Sequence, residues 1–146
     1  MTTSGMRLEI DAEDVLRVLD RMEEAARDMT PAMESIGEAI RTQIFTAFER
    51  GTTPGGTPWR QSQRAMRDRG RTLVDTGILW NSFGYEARKD SVAIGTNIQY
   101  AAIHNDGGQA GRGLRVTLPA RRFMPENDEI DWDEVSNMLL HHIMGD

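Results

Sequence analysis

Two N-terminal stretches repeat apolar residues every three to four positions, and several short ones alternate. Met6, Leu8 and Ile10 alternate with Arg7 and Glu9, a period of two that predicts a short half-buried strand. Asp11 then stands as an N-cap, and Val15, Leu16, Leu19, Met22 and Ala26 recur at helical spacing, predicting a helix over about 12–28. Thr30-Pro31 restarts the pattern, with Thr30 expected to cap and Pro31 tolerated in the first turn. Met33, Ile36, Ile40, Ile44, Ala47 and Phe48 form one stripe and predict a second helix over about 31–50. Gly37 lies on that stripe, where it permits close packing, and Gly51 stands where a C-terminal glycine is expected.

The middle of the chain is punctuated differently. Residues 51–58 hold two prolines and three glycines, which cannot continue a helix, and Trp59 follows, expected as the anchor of that loop on the core ahead of an exposed partner contact. Residues 60–71 carry Arg60, Arg64, Arg67, Arg69 and Arg71 with little apolar content, so a short helix ending at Gly70 is expected to be exposed, mobile or docked on something acidic. Asp75 or Thr76 is placed to cap a short helix carrying Ile78, Leu79 and Ser82. Phe83, Tyr85 and Ala87 alternate, Lys89-Asp90-Ser91 turns, and Val92 to Gly95 returns, which predicts an antiparallel hairpin. A helical turn over Tyr100–His104 leads into a glycine-rich loop, 105–115. Leu114, Val116 and Leu118 then alternate as a strand, and the proline-bracketed 119–125 is extended. Ile130, Val135, Met138, Leu139 and Ile143 predict a C-terminal helix within 128–146, with acids at its positive end and His141 and His142 at its negative end.

The 146 residues suit one domain, 1–146, and 38% hydrophobic content gives it a modest core, with room for a partner chain to complete part of the apolar surface. No run of apolar residues is long enough for a membrane span, the first residues lack the features of a signal peptide, and the absence of cysteine excludes disulfides and thiolate chemistry. The net charge of −6 is unevenly spread: −5 over residues 1–50, +6 over 51–122 and −7 over 123–146. A basic middle between acidic ends suggests head-to-tail pairing between protomers, a nucleic-acid surface, or simply solvated faces of opposite sign.

Catalytic motifs are missing. His104-Asn105-Asp106 offers a nitrogen and a carboxylate to a metal, but no third ligand stands beside them, so a structural or interface histidine is the better reading. A Gly-x-Ser-x-Gly elbow is absent, leaving only the remote pairing of Ser82 with His104. The glycine loop lacks the lysine of a phosphate-binding loop, and the acids at 126–134 lack calcium-loop spacing. Arg60, Arg64, Arg67, Arg69, Arg71, Arg112, Arg115, Arg121 and Arg122 could neutralise phosphates, yet no aromatic interleaves the 60–71 run.

One collinear set of segments resembles a known family. Phe48 precedes a Gly/Pro loop ending in Thr57-Pro58-Trp59, followed by Leu73-Val74-Asp75-Thr76-Gly77-Ile78-Leu79 with Ser82. Val92-Ala93-Ile94-Gly95-Thr96, Tyr100-Ala101-Ala102-Ile103-His104 with Gly107-Gly108, and Leu118-Pro119-Ala120-Arg121-Arg122-Phe123-Met124 complete the order. Together, over about residues 45–125, they resemble the virion-morphogenesis, or tail-completion, family of long-tailed phages and prophages. The family usually has proline where Arg122 stands.

The resemblance implies a structural protein rather than an enzyme, without cofactor or metal. It places the chain in the virion at the head–tail junction, with assembly in the host cytoplasm. It implies a homo-oligomeric ring, a hexamer before a dodecamer, contacting neck, tail-tube or portal proteins, with DNA only as passing cargo; a nucleic-acid-binding or packaging module is the alternative. The fold expected is α+β, with two N-terminal helices and a C-terminal helix on a small antiparallel sheet made by the 83–95 hairpin and the 114–124 segment, and with long mobile loops at 51–71 and 105–115. Trp59, Leu79, Phe83, Tyr100 and Phe123 are expected in the core, with Asp75 and Gly77 shaping a turn and Tyr100 and His104 either fixing the glycine loop through their polar tips or simply packing there. Arg112, Arg115, Arg121 and Arg122, with Arg60 and Arg64, are the expected intersubunit or neck contacts.

Overall fold

The apolar stripe of residues 33–48 becomes the helix around which the chain is arranged. The computed structural model describes residues 5–145. In order these form α1 (Ala12–Arg27), α2 (Thr30–Arg50), α3 (Gln63–Asp68), β1 (Gly84–Ala87), β2 (Val92–Gly95), α4 (Ala101–Asp106), β3 (Gly108–Ala110), β4 (Val116–Leu118) and α5 (Trp132–Met144). The fold is α+β, with helices at both ends and two small antiparallel sheets between them.

Local chemistry sets the helix ends. Asp11 caps α1 by accepting from the Asp14 N–H at 3.0 Å. Asp28, not Thr30, serves the start of α2: its carboxylate accepts from the Thr30 hydroxyl at 2.5 Å and the Thr30 N–H at 3.1 Å. Thr30 is itself the first helical residue, so its side chain lies too late to cap. Gly51 ends α2 in the left-handed conformation at φ 66°, and its N–H donates to the Ala47 carbonyl. Asp131 caps α5 through the Glu134 N–H at 3.1 Å.

α2 packs one face on the β1–β2 hairpin and another on α5. The hairpin register pairs Tyr85 with Ile94 and Ala87 with Val92, so all four half-buried side chains share the face turned to α2. The core gathers Ile44, Ala47, Phe48, Trp59, Leu79, Phe83, Ala101 and Phe123. Phe48 is fully buried, with ring centroids 4.8 Å from Phe123, 5.5 Å from Trp59 and 6.0 Å from Phe83.

Several expectations need correction. Residues 6–10 are not a strand: they pair with no ladder, and Met6, Leu8 and Ile10 are all exposed. A period of two says which side chains share a face, but a strand also needs an edge to bond. The 83–95 hairpin and the 114–124 segment do not share a sheet, because β4 pairs instead with β3 out of the glycine-rich loop. Residues 105–115 therefore hold strand and a 3-10 turn at Arg112–Leu114 rather than open loop. Residues 75–82 form successive turns, not a helix. Among the two N-terminal helices, only α2 covers the hairpin; α1 rests against α5 and buries no residue completely. Tyr100 lies outside the core, 46% exposed.

His142 explains how α1 is held. Its Nε2 lies 2.9 Å from the Ala25 carbonyl and 2.8 Å from the Asp28 carbonyl, so as Nε2–H it donates to groups left unpaired at the C-terminus of α1.

Gly37 is the closest backbone approach between α2 and the hairpin. A Cβ there would stand 2.6 Å from Tyr85 Cγ and 2.7 Å from Cδ2, the ring end fixed to the strand. Gly37→Ala gains about 1 kcal/mol of helix propensity but forces the hairpin off α2, at about 1–3 kcal/mol. The expected outcome is a lower melting temperature; a rise would show that the hairpin yields freely.

Candidate functional site

Above the core, three loops are fastened to one another by polar side chains. Residues 51–59 close on themselves: Thr52 bridges Pro58, the Thr53 N–H donates to the Thr57 carbonyl at 2.8 Å, and the Trp59 N–H donates to the Gly51 carbonyl at 2.8 Å. Trp59 is buried, and its Nε1–H donates to the Arg122 carbonyl at 2.8 Å. The loop anchor expected there is thus in place, across 63 residues of sequence.

The arginine-rich segment also folds back. Ser62 caps α3 through the Ala65 N–H, and its own N–H donates to the buried Thr72 hydroxyl at 3.0 Å. Arg64 donates to the Arg71 carbonyl at 2.7 Å and pairs with Asp75 at 3.4 Å. Asp75 is therefore an ion-pair partner rather than a cap, and Thr76 accepts from the Ile78 N–H instead. Gly77 adopts φ 80°, open to glycine without strain.

These turns form one wall of a cleft of about 360 Å³ that brings together Arg64, Asp75, Gly77, Leu79, Tyr100, His104 and Arg121. Seven residues singled out in the sequence thus meet at one place. His104 stacks edge-on against Tyr100 with centroids 5.7 Å apart, and its buried Nδ1 has no partner among the described residues. Burial, and then the nearby Arg121 cation, push its pKa below the ordinary histidine value, so the ring is neutral at pH 7. The Ser82 hydroxyl is engaged elsewhere: it donates to the Leu79 carbonyl and lies 2.5 Å from the Thr96 hydroxyl.

Arg121 and Arg122, expected at an outer contact, are engaged within the chain. Arg121 is only 7% exposed; its Nε–H donates to the Arg60 carbonyl at 2.7 Å, and its backbone N–H donates to the His104 carbonyl at 2.9 Å. Arg122 forms a two-pronged ion pair with Glu129, one arm at 3.1 Å, and lies 3.6 Å from Glu126. Glu129 also accepts from the Glu126 N–H, while its carbonyl accepts from the Gln43 side chain at 2.8 Å. Hydrogen bonding from Arg122 is the main cause that holds the Glu129 carboxyl at about 2. The carboxylates of Glu126, Asp128 and Glu129 come within 4.8 Å of one another, but Arg122 supplies their counter-charge. Arg60 shows an exposed side chain, and Arg112 and Arg115 stand exposed on the β3–β4 hairpin, outside the cleft.

Asn105 has a role that its place beside His104 does not announce. Its Oδ1 accepts from both the Phe123 and Met124 N–H groups at 3.0 Å. A polar residue just after the 100–104 turn was the only local signal, because its partners lie 18 and 19 positions away. The arrangement as a whole is a set of clasps: Trp59, Asn105 and two arginines hold segments from distant parts of the chain.

The model of the phage virion morphogenesis family matches residues 10–144, so nearly the whole chain belongs to that family. It is 35% identical over 123 residues to the Mu-like prophage FluMu G protein 2 of Haemophilus influenzae, covering 83% of this chain and 85% of that protein. No solved structure matches the fold significantly. The chain is thus a phage virion morphogenesis protein, with a structural role.

Two predictions test the clasps. The Glu129 carboxyl sits at about 2 against an ordinary 4.5, so its stabilisation is complete above pH 4.5 and is lost as pH falls towards 2. Wild type should exceed Glu129→Gln in stability at pH 6, and the gap should narrow below pH 4.5 and close only near pH 2; a gap independent of pH would refute the ion pair. Arg121→Ala removes a buried donor and should cost about 2 kcal/mol, whereas Arg115→Ala should change stability by under about 0.5 kcal/mol. Parallel denaturant curves of the two variants check the contrast.

Proposed function

We propose that this protein closes as a ring at the head–tail junction of a long-tailed phage or prophage particle, completing the tail and joining it to the head. The observation that carries this reading is the amount of apolar and charged surface left open by a folded, clasped core. Val15, Leu16, Val18 and Leu19 of α1 are exposed although the helix is amphipathic, and so are Leu114 and Val116. Such faces suit a protomer whose neighbours cover them. The charge division supports the same view, since head-to-tail contact sets a basic middle against acidic ends. Family membership and the Mu-like prophage relative support the virion setting.

The nucleic-acid reading is weaker, because Arg64, Arg121 and Arg122 are tied to partners within the chain. Deleting the gene from an inducible prophage should yield heads and tails that fail to join, as seen by electron microscopy. Restoring the chain should restore joined particles, with the protein located at the junction. Normal particles from the deletion would overturn the reading.

A further inference from the structure

Resting on the ring reading, we infer that the tip of the β3–β4 hairpin of one protomer docks into the groove between α2 and the start of α5 of a second copy. The hairpin stands apart: residues 111–117 are all exposed, and no acid occurs between Gly107 and Arg122. Its tip presents Leu114 (62% exposed) and Val116 beside Arg112 and Arg115. Leu114 is held at φ 54°, the left-handed region that leucine normally avoids, by the turn in which its N–H donates to the Gly111 carbonyl at 3.1 Å. Strained backbone that displays an apolar side chain to solvent marks a contact made elsewhere.

The groove has the complementary chemistry. It encloses about 710 Å³ over an apolar floor that includes Ile40, Ile130, Val135 and Met138. Exposed Glu38, Asp131 and Glu134 line its rim, and no basic residue does. Glu38 has a partner in Arg41 on its own helix at 3.5 Å, but both are half exposed, so that pair is weak and can be exchanged. An apolar and doubly basic tip fits an apolar slot with an acidic rim, which is a heterologous contact. Each copy keeps one tip and one groove, so the contact repeats from chain to chain and closes a ring when the rotation allows.

The chain holds no cysteine, so introduced ones report contacts cleanly. A protein carrying both Leu114→Cys and Ala39→Cys should give a ladder of covalent multimers under oxidation, while either single variant should give little dimer. Arg112→Glu with Arg115→Glu should weaken self-association at least about tenfold, and adding Glu38→Arg and Glu134→Arg should restore it. Strong dimerisation of Leu114→Cys alone, or intrachain closure of the double variant, would overturn the assignment. Cross-linking of Leu8→Cys to Ala39→Cys instead would make the N-terminal arm the occupant. Oligomers by light scattering without the ladder would refute this interface and leave the ring reading standing. A chain monomeric at the highest concentration reached would refute self-docking, while joined particles in the prophage assay would still uphold the junction role.

Discussion

Phe48 is where the separate parts of this chain meet, and its burial is the condition for their meeting. It sits in the last turns of α2, fully enclosed. Around it stand Trp59 from the loop that follows α2, Phe83 from the start of the hairpin and Phe123 from the proline-bracketed segment. Three of these four rings belong to segments with little regular structure. Three of the four phenylalanines and one of the three tryptophans meet at this point. Tilted and edge-on contacts there add to the burial itself.

Because the core is small, polar bonds decide where the loops lie over it. Backbone groups of the 51–62 and 119–125 segments would be left unpaired without Trp59 Nε1, Arg121 and Asn105, each of which reaches across the chain to a backbone group. Glu129 does the same for the last helix, joining Arg122, the Glu126 backbone and, through its own carbonyl, Gln43 of α2. Arg122 fixes the 119–125 segment to the start of the last helix through its ion pair with Glu129. A partly buried pair of this kind is costly to break and little screened, unlike the exposed i to i+4 pairs along α1.

The same economy explains what is left outside. Among the described residues α1 leans chiefly on α5, and the hairpin tip stays exposed. A virion component works inside an assembly, so surface that a solitary protein would have to bury can be left for neighbours. The cleft around His104 and Tyr100 belongs to the folded unit, whereas the hairpin tip and the α2–α5 groove belong to the surface on offer.

Sequence alone settled the elements whose causes are local. The periodicity of residues 12–50, the Asp11 cap, the glycine that ends α2, the 84–95 hairpin and the final helix all follow from neighbours within a few positions. Motif order also pointed to the family. What only the tertiary structure decided was pairing between distant positions. It assigned β4 to β3 instead of to β1–β2, left residues 6–10 without a partner, and turned Arg121 and Arg122 inward although their charge predicts exposure. An arginine buries when a particular carbonyl or carboxylate awaits it, and no local pattern records that the Arg60 carbonyl or Glu129 will be there. Periodicity tells a side chain which way to face; only the assembled fold supplies what it faces.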